Sequence, residues 1–359
     1  MNSPRFPGEN PPRWAGLRTA VAAPWIPDVA GYTTSMLLLR FLLVLCPVSA
    51  TQLAAPTQDP VPVISPKPAR ALVPGTRVTL TPPADHEPGR GFLGYQWPEF
   101  ATSLIVIEMP GPFAEVARGM DEAGLAKGGM KLIEASDTKI AERDARLLFV
   151  SQTMQGTSYR KWIAVFGDEK RTVLLNAVFP EEIEAEMSTS MKAALLGAEW
   201  NPKLVIDPFA PLPWTLEHPE GLRFAGNLGT SLVFTQDGEF VQKDKPGSAR
   251  FSVSPSMGSA KIADPRKFAE SRARALPSGR EFVFESSVAH ERGNQKGWEI
   301  LAKWRDKGAE LDILVHQIIL IREDEYFIFV GQCLESEREL WIGRFRAAVS
   351  SWRPRVDAR

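Results

Sequence analysis

Apolar and polar positions fall into two series of elements, and the second series follows the order of the first. In the first series 77–80 alternates as a strand, and Leu104-Ile105-Val106-Ile107 is a continuous apolar run, as in a strand covered on both faces. Residues 112–127 predict one helix, opened by Pro112 and closed near Gly128-Gly129. Strands are expected over 139–151, 159–166 and 171–179, the last two joined at Gly167-Asp168, a hairpin signal. Pro180 then starts a helix with Ile183, Met187, Met191 and Leu195 along one face.

The second series has early strands at 216–224, 231–235 and 251–253, then a helix from Asp264-Pro265 through Leu276. Strands over 282–288, 298–304, 311–321 and 326–332 lead to a closing helix marked by Trp341, Phe345 and Val349. Local signatures recur at a near-constant offset. Phe113-Ala114-Glu115 matches Phe268-Ala269-Glu270, Gly156 matches Gly308, and Trp200-Asn201-Pro202-Lys203 matches Trp352-Arg353-Pro354-Arg355. A period of about 150 residues is far too long for a solenoid and fits duplication of a whole domain. The expectation is an α+β protein of two tandem domains, 76–203 and 208–355, each an antiparallel sheet with helices packed on it and each folding around its own core.

This pattern resembles the Mog1/PsbP-like family over about 76–202 and 208–355. The carriers are the apolar stretch from Ile105 to Phe113, the hairpin from Tyr159 to Phe179, and the closing Trp-x-Pro. The resemblance implies a binding or assembly factor of protein complexes, similar to small exported bacterial proteins of unknown function. It brings no catalytic motif.

Ahead of the repeats, Met36 and Arg40 lead into the apolar 41–46, and Val48-Ser49-Ala50 places small residues where a signal peptidase reads. The apolar core is too short for a permanent anchor. Residues 36–50 are therefore read as a cleaved signal, 1–35 as an over-extended start, and 51–75 as a Pro-rich spacer. The expected location is exported, in the periplasm. Leu45 stands where a lipoprotein signal needs a small residue, which argues against lipidation of Cys46. With the signal removed Cys333 is the sole cysteine, so no intramolecular disulfide forms, and its place at a strand end predicts an inert thiol. A net charge of −1 on 359 residues shows no basic excess of the kind that phosphate binding needs, so no nucleic-acid partner is expected.

Candidate chemistry is sparse, and no cofactor is expected. Asp85-His86-Glu87 is the best ligand cluster for a metal, although three consecutive side chains do not readily converge on one ion. His290-Glu291 lacks the second histidine of a zincin helix, since Asn occupies position 294. His316 lies inside an apolar strand, where a hydrogen-bonded histidine is the plain expectation and a general base the sharper one. No Gly-x-Ser-x-Gly elbow is present. Ten tryptophans are the unusual enrichment. Core packing is their plain reading; exposed, Trp298, Trp304 and Trp341 would mark a recognition surface, as would the charged hairpin carrying Arg322 and Asp324. The function expected is non-enzymatic binding of a protein or envelope partner. The alternatives are a carrier with a small apolar ligand in a domain cleft, and an enzyme of unrecognised type using Asp85, His86 or His316.

Overall fold

The computed structural model describes residues 69–154, 156–240, 247–256, 261–276, 283–292, 295–306, 309–323 and 325–355. The signal, Cys46, most of the spacer, Gly308 and Asp324 lie outside the described residues. Two seven-stranded antiparallel sheets with a few helices make up an α+β structure. The first sheet contains β1 (Glu87–Pro88), β2 (Gly94–Trp97), β3 (Thr102–Pro110), β4 (Met130–Ile140), β5 (Arg143–Met154), β6 (Thr157–Gly167) and β7 (Arg171–Pro180). The second contains β8 (Arg223–Leu228), β9 (Ser231–Thr235), β10 (Arg250–Pro255), β11 (Val283–Arg292), β12 (Gln295–Asp306), β13 (Leu311–Arg322) and β14 (Glu325–Leu334).

Their spatial orders are β1-β2-β3-β7-β6-β5-β4 and β8-β9-β10-β14-β13-β12-β11, the same path taken twice. Even an irregularity recurs. The pairing of β4 with β5 slips between Leu132 and Glu134, and that of β11 with β12 between Phe284 and Ser286. A bulge bends its strand and raises its twist. Placed identically, the two bulges give both outer edges the same departure from the sheet.

Helices α1 (Phe113–Gly119), α2 (Glu122–Ala126) and α3 (Glu184–Leu196) accompany the first sheet, and α4 (Pro265–Arg274) and α5 (Arg338–Ser351) the second. The single helix expected over 112–127 is two, because Asp121 turns extended and caps α2 by accepting from the Gly124 amide at 2.7 Å. The strand expected over 139–151 is also two. Ala141 and Glu142 both take positive φ between the paired Ile140 and Arg143, forming a two-residue turn of the type that matches strand twist. Asn-Gly or Asp-Gly ordinarily marks such a turn; Ala-Glu gives no sign of it. The strand expected over 216–224 is not one element, since Trp214–Thr215 and Arg223–Leu228 pair with different partners.

Each half is closed by a small clasp. Val78–Leu80 pairs with Glu199–Trp200 and with Ala71–Leu72, two residues that the spacer reading had included. Trp214–Thr215 pairs with Arg353–Pro354. Thus the chain entering each half is stitched to the chain leaving it. Trp200 and Trp352 are both buried, and each lies beneath arginines from neighbouring hairpins: Arg143 over Trp200 at 4.8 Å, Arg292 and Arg322 over Trp352 at 5.9 and 5.8 Å.

Buried side chains form four clusters. Met187, Met191, Ala194 and Leu195 of α3 join Leu104, Phe149, Trp162 and Phe179 of the strands in one. Trp341, Phe345, Ala348 and Val349 of α5 likewise join Phe251, Leu314 and Phe329. Ala269 and Ala273 of α4 meet Ile300, Val315 and Ile319. On the other face of the first sheet Val116 and Leu125 meet Ile105, Ile107 and Ile163, and Leu228 of the second half belongs to the same cluster, with Phe240 packed against it. The cores are therefore not separate as expected. Thr230 adds a hydrogen bond across the boundary, its hydroxyl donating to the Gly91 carbonyl at 2.6 Å.

Candidate functional site

The sequence candidates are dispersed by the fold, and most are occupied by structural bonds. His86 follows Asp85, which takes a positive φ of 63°. Its Nδ1 donates to the Ala84 carbonyl at 2.9 Å, so Nε2 is left to accept from the Thr102 hydroxyl, also at 2.9 Å. Burial lowers its basicity, against the opposing pull of the Ala84 carbonyl. A ring with both nitrogens engaged has no lone pair for a metal. Glu87 sits on β1, where Gln96 donates to it at 3.1 Å and Arg90 approaches to 3.4 Å. Among the described residues no three His, Cys, Asp or Glu side chains are grouped to hold a metal ion. Asp85, His86 and Glu87 do not converge.

The tryptophans proposed as a recognition surface are mostly core. Trp304 is 4 % exposed and Trp341 is 2 % exposed; the latter stacks on Phe345 at 5.8 Å while its Nε1 donates to Glu337. Trp298 is half-buried, donates to the Ser287 hydroxyl at 2.8 Å and packs against the cluster beneath α4. Trp304 lies on the face of β12 that packs beneath α4, and Trp341 on the face of α5 turned to the sheet, so neither stands on a surface. Arg322 is engaged over Trp352 and Asp324 is not described. The Cys333 thiol is buried and pushed up to about 12 by that burial and by the charges of Glu337 and Glu335, which leaves it inert at neutral pH.

The most developed polar constellation lies elsewhere, beneath and beside α5. Glu299, on β12, projects to the α5 side of the sheet with a side chain only 9 % exposed. His316 on β13, almost fully buried against Phe345, donates Nε2–H to Glu299 Oε1 at 2.7 Å. Arg346 of α5 donates Nε–H and Nη2–H to the same oxygen at 2.9 and 2.7 Å. His290 of β11 reaches the other oxygen at 3.4 Å. Burial would raise the Glu299 carboxyl, but the hydrogen bonds from His290, His316 and Arg346 outweigh it and hold the group well below the ordinary carboxylate range.

Four elements thus converge on one carboxylate. His316 and His290 had been noticed in the sequence; Glu299 and Arg346 had not. Glu299 lies between Trp298 and Ile300 in an apolar alternation, and only the strand register reveals that it faces two histidines. The internal repeat would have been the usable signal. By register, Glu299, His316 and Arg346 stand where the first half has Leu147, Trp162 and Lys192. There Trp162 stacks on Phe149 at 4.4 Å and Lys192 covers its ring at 4.2 Å. One half fills this place with an aromatic stack, and the other with an ion-paired network.

No protein-family model matches the chain, and no curated protein matches it by sequence. Among solved structures it is similar to LpqN, involved in cell envelope biogenesis of Mycobacterium tuberculosis, at 14 % identity over 39 % of this chain and 81 % of that one, with a TM-score of 0.29. It is also similar to the cyanobacterial PsbP of Synechocystis, at 12 % identity over 40 % of this chain and 82 % of that one, with a TM-score of 0.26. The immunity protein TplEi of Pseudomonas aeruginosa matches over 75 % of this chain and 96 % of its own, at 13 % identity and a TM-score of 0.28. Likeness at this level carries no argument about function.

Proposed function

We propose that the chain is an exported, non-enzymatic accessory protein, built from two tandem copies of one Mog1/PsbP-like domain, that binds a protein of the cell envelope. The observation that carries this reading is the engagement of its reactive groups. His86 spends both nitrogens on structure, His316 is sealed beneath Phe345 and bonded to Glu299, and the Cys333 thiol is held protonated. A general base or nucleophile needs an accessible atom within reach of a substrate, and these groups offer none. The repeated strand order supports the tandem reading, with 76–203 and 208–355 as its two units.

The test is a pull-down from envelope extract with the full chain as bait. One protein retained in stoichiometric amount is the expected result. Turnover of a substrate in a broad hydrolase screen, abolished by His86→Ala or His316→Ala in a folded protein, would replace this reading with an enzymatic one. The compartment has its own check: protein recovered from the envelope is expected to begin near Thr51, and an intact Met1 recovered from the cytosol contradicts export.

A further inference from the structure

We propose that the strip between α5 and the outer edge of β11 is the docking site of an extended acidic segment of the partner, added as an eighth strand with its carboxylate on Arg346. The proposal rests on the protein-binding reading and specifies which surface does the binding.

Strand β11 is the last of its sheet and has one strand neighbour among the described residues. After the slip at Phe284/Ser286 its pairing runs unbroken over 286–292, a regular stretch long enough to template another strand. Helix α5 runs alongside it, tied by Arg338 to Glu285 near the start and by Arg292 to the Ser350 carbonyl near the end. Val283 and Val288 rise from β11 on this side, 56 % and 49 % exposed, and the half-buried Ile342 lies on the face of α5 that carries Arg338 and Arg346.

The equivalent strip of the first half carries Lys131, Ser136 and Ser188 at these three positions. At the bulge the two edges differ the other way, with exposed Ile133 in the first half and Glu285 in the second. In the second half the two exposed valines stand beside Glu299, His316 and Arg346, Val288 being paired with Glu299 across β11 and β12.

Arg346 is a prepared anchor. Its Nε–H and Nη2–H are fixed on Glu299, which His316 and His290 hold from behind, and its side chain is nevertheless 52 % exposed. A guanidinium already immobilised loses little entropy on binding, and the Nη1–Nη2 edge not bonded to Glu299 suits a carboxylate. Lys303 adds a second outward cation at 45 % exposure, whereas the carboxylates it and Arg346 pair with are 24 % and 9 % exposed. Glu339 of α5 and Glu291 of β11 are exposed as well, so the positive character is confined to Arg346 and Lys303. On this face Ser286 stands between Val283 and Val288, whose partners on β12, Lys303 and Glu299, are four residues apart, so apolar contacts on the two valines followed by a carboxylate on Arg346 describe a strand with valine-like residues four apart and an acidic one two residues further on.

The probe is an acetylated, amidated Thr/Ser nonapeptide with valine at two positions four apart and glutamate two residues after the second, compared with the same peptide carrying lysine for glutamate. Hydrogen exchange on the full chain is expected to show slowed amides within 286–292 for the glutamate peptide alone. Arg346→Gln and the surface change Val288→Ser should each weaken binding at least tenfold, and Lys192→Gln, at the equivalent place in the first half, less than twofold. Equal binding of the lysine peptide, protection confined to other strands, no binding at millimolar peptide, or unchanged affinity in folded Val288→Ser overturns the proposal. An envelope protein retained equally by wild type, Arg346→Gln and Val288→Ser also overturns it, while leaving the broader binding reading in place.

Discussion

At the scale of single residues, Glu299 and Trp352 govern the second half for different reasons. The Glu299 carboxyl is held below its ordinary range in the folded state, so it favours folding above the unfolded carboxylate pKa of about 4.3. That contribution declines as pH falls below this value toward the lowered folded pKa. Glu299→Gln keeps the shape but removes the charge that draws Arg346 and His316 together. It should lower stability at pH 7 by about 1.5–3 kcal/mol, the scale of hydrogen bonds to a charged group, and flatten the loss of stability below pH 4.5; denaturant titrations from pH 3 to 7 check both. Trp352 instead acts by volume. It is fully buried, 4.6 Å from Phe327 and beneath two arginines. Trp352→Ala should cost about 3–5 kcal/mol, and a loss below about 1 kcal/mol in the same titration would place the ring outside the core.

At the scale of elements, the sequence showed what was apolar and concealed what was exposed. The runs 104–107, 159–166, 171–179, 311–321 and 326–332 fall within β3, β6, β7, β13 and β14, each buried on both faces and legible for that reason. Strand β4 was invisible. Its middle is exposed on both sides, so no alternation marks it, and the Ala141-Glu142 turn carries no glycine or asparagine. The candidate site was hidden likewise: Glu299 and Arg346 are ordinary charged positions until register and helix placement bring them together. The turn offers a test of its own. Both residues occupy the left-handed region, which costs an L-residue roughly 1–2 kcal/mol, so replacing Ala141-Glu142 with Asn-Gly should stabilise the protein by up to about 1 kcal/mol, read as a higher midpoint in urea. A destabilised hairpin would mean that Ala141, packed against the first core, matters more than the backbone strain.

At the scale of the whole molecule, the repeated strand order suggests two interchangeable units, but the packing makes the first depend on the second. Leu228, 6 % exposed, is part of the cluster that holds Phe92, Ile105 and Ile107, and Phe240 packs on its border. Among the described residues no counterpart covers the second sheet, where Ser252 and Ser254 of β10 occupy by register the places of Ile105 and Ile107. The apolar face of the first half is therefore covered partly by its own α1 and α2 and partly by Leu228 and Phe240 from the second half. A fragment ending at Lys203 would expose the part of that face beneath Leu228 and Phe240 to water. Leu228→Ala should destabilise the first half by about 2–5 kcal/mol, as for a buried leucine, although residue 228 lies in the second. Hydrogen exchange resolves the two halves: faster exchange at 103–109 and 161–165 with little change at 311–321 is the expected result. Acceleration confined to 223–235 would show that Leu228 serves only its own hairpin and that the two cores are independent after all.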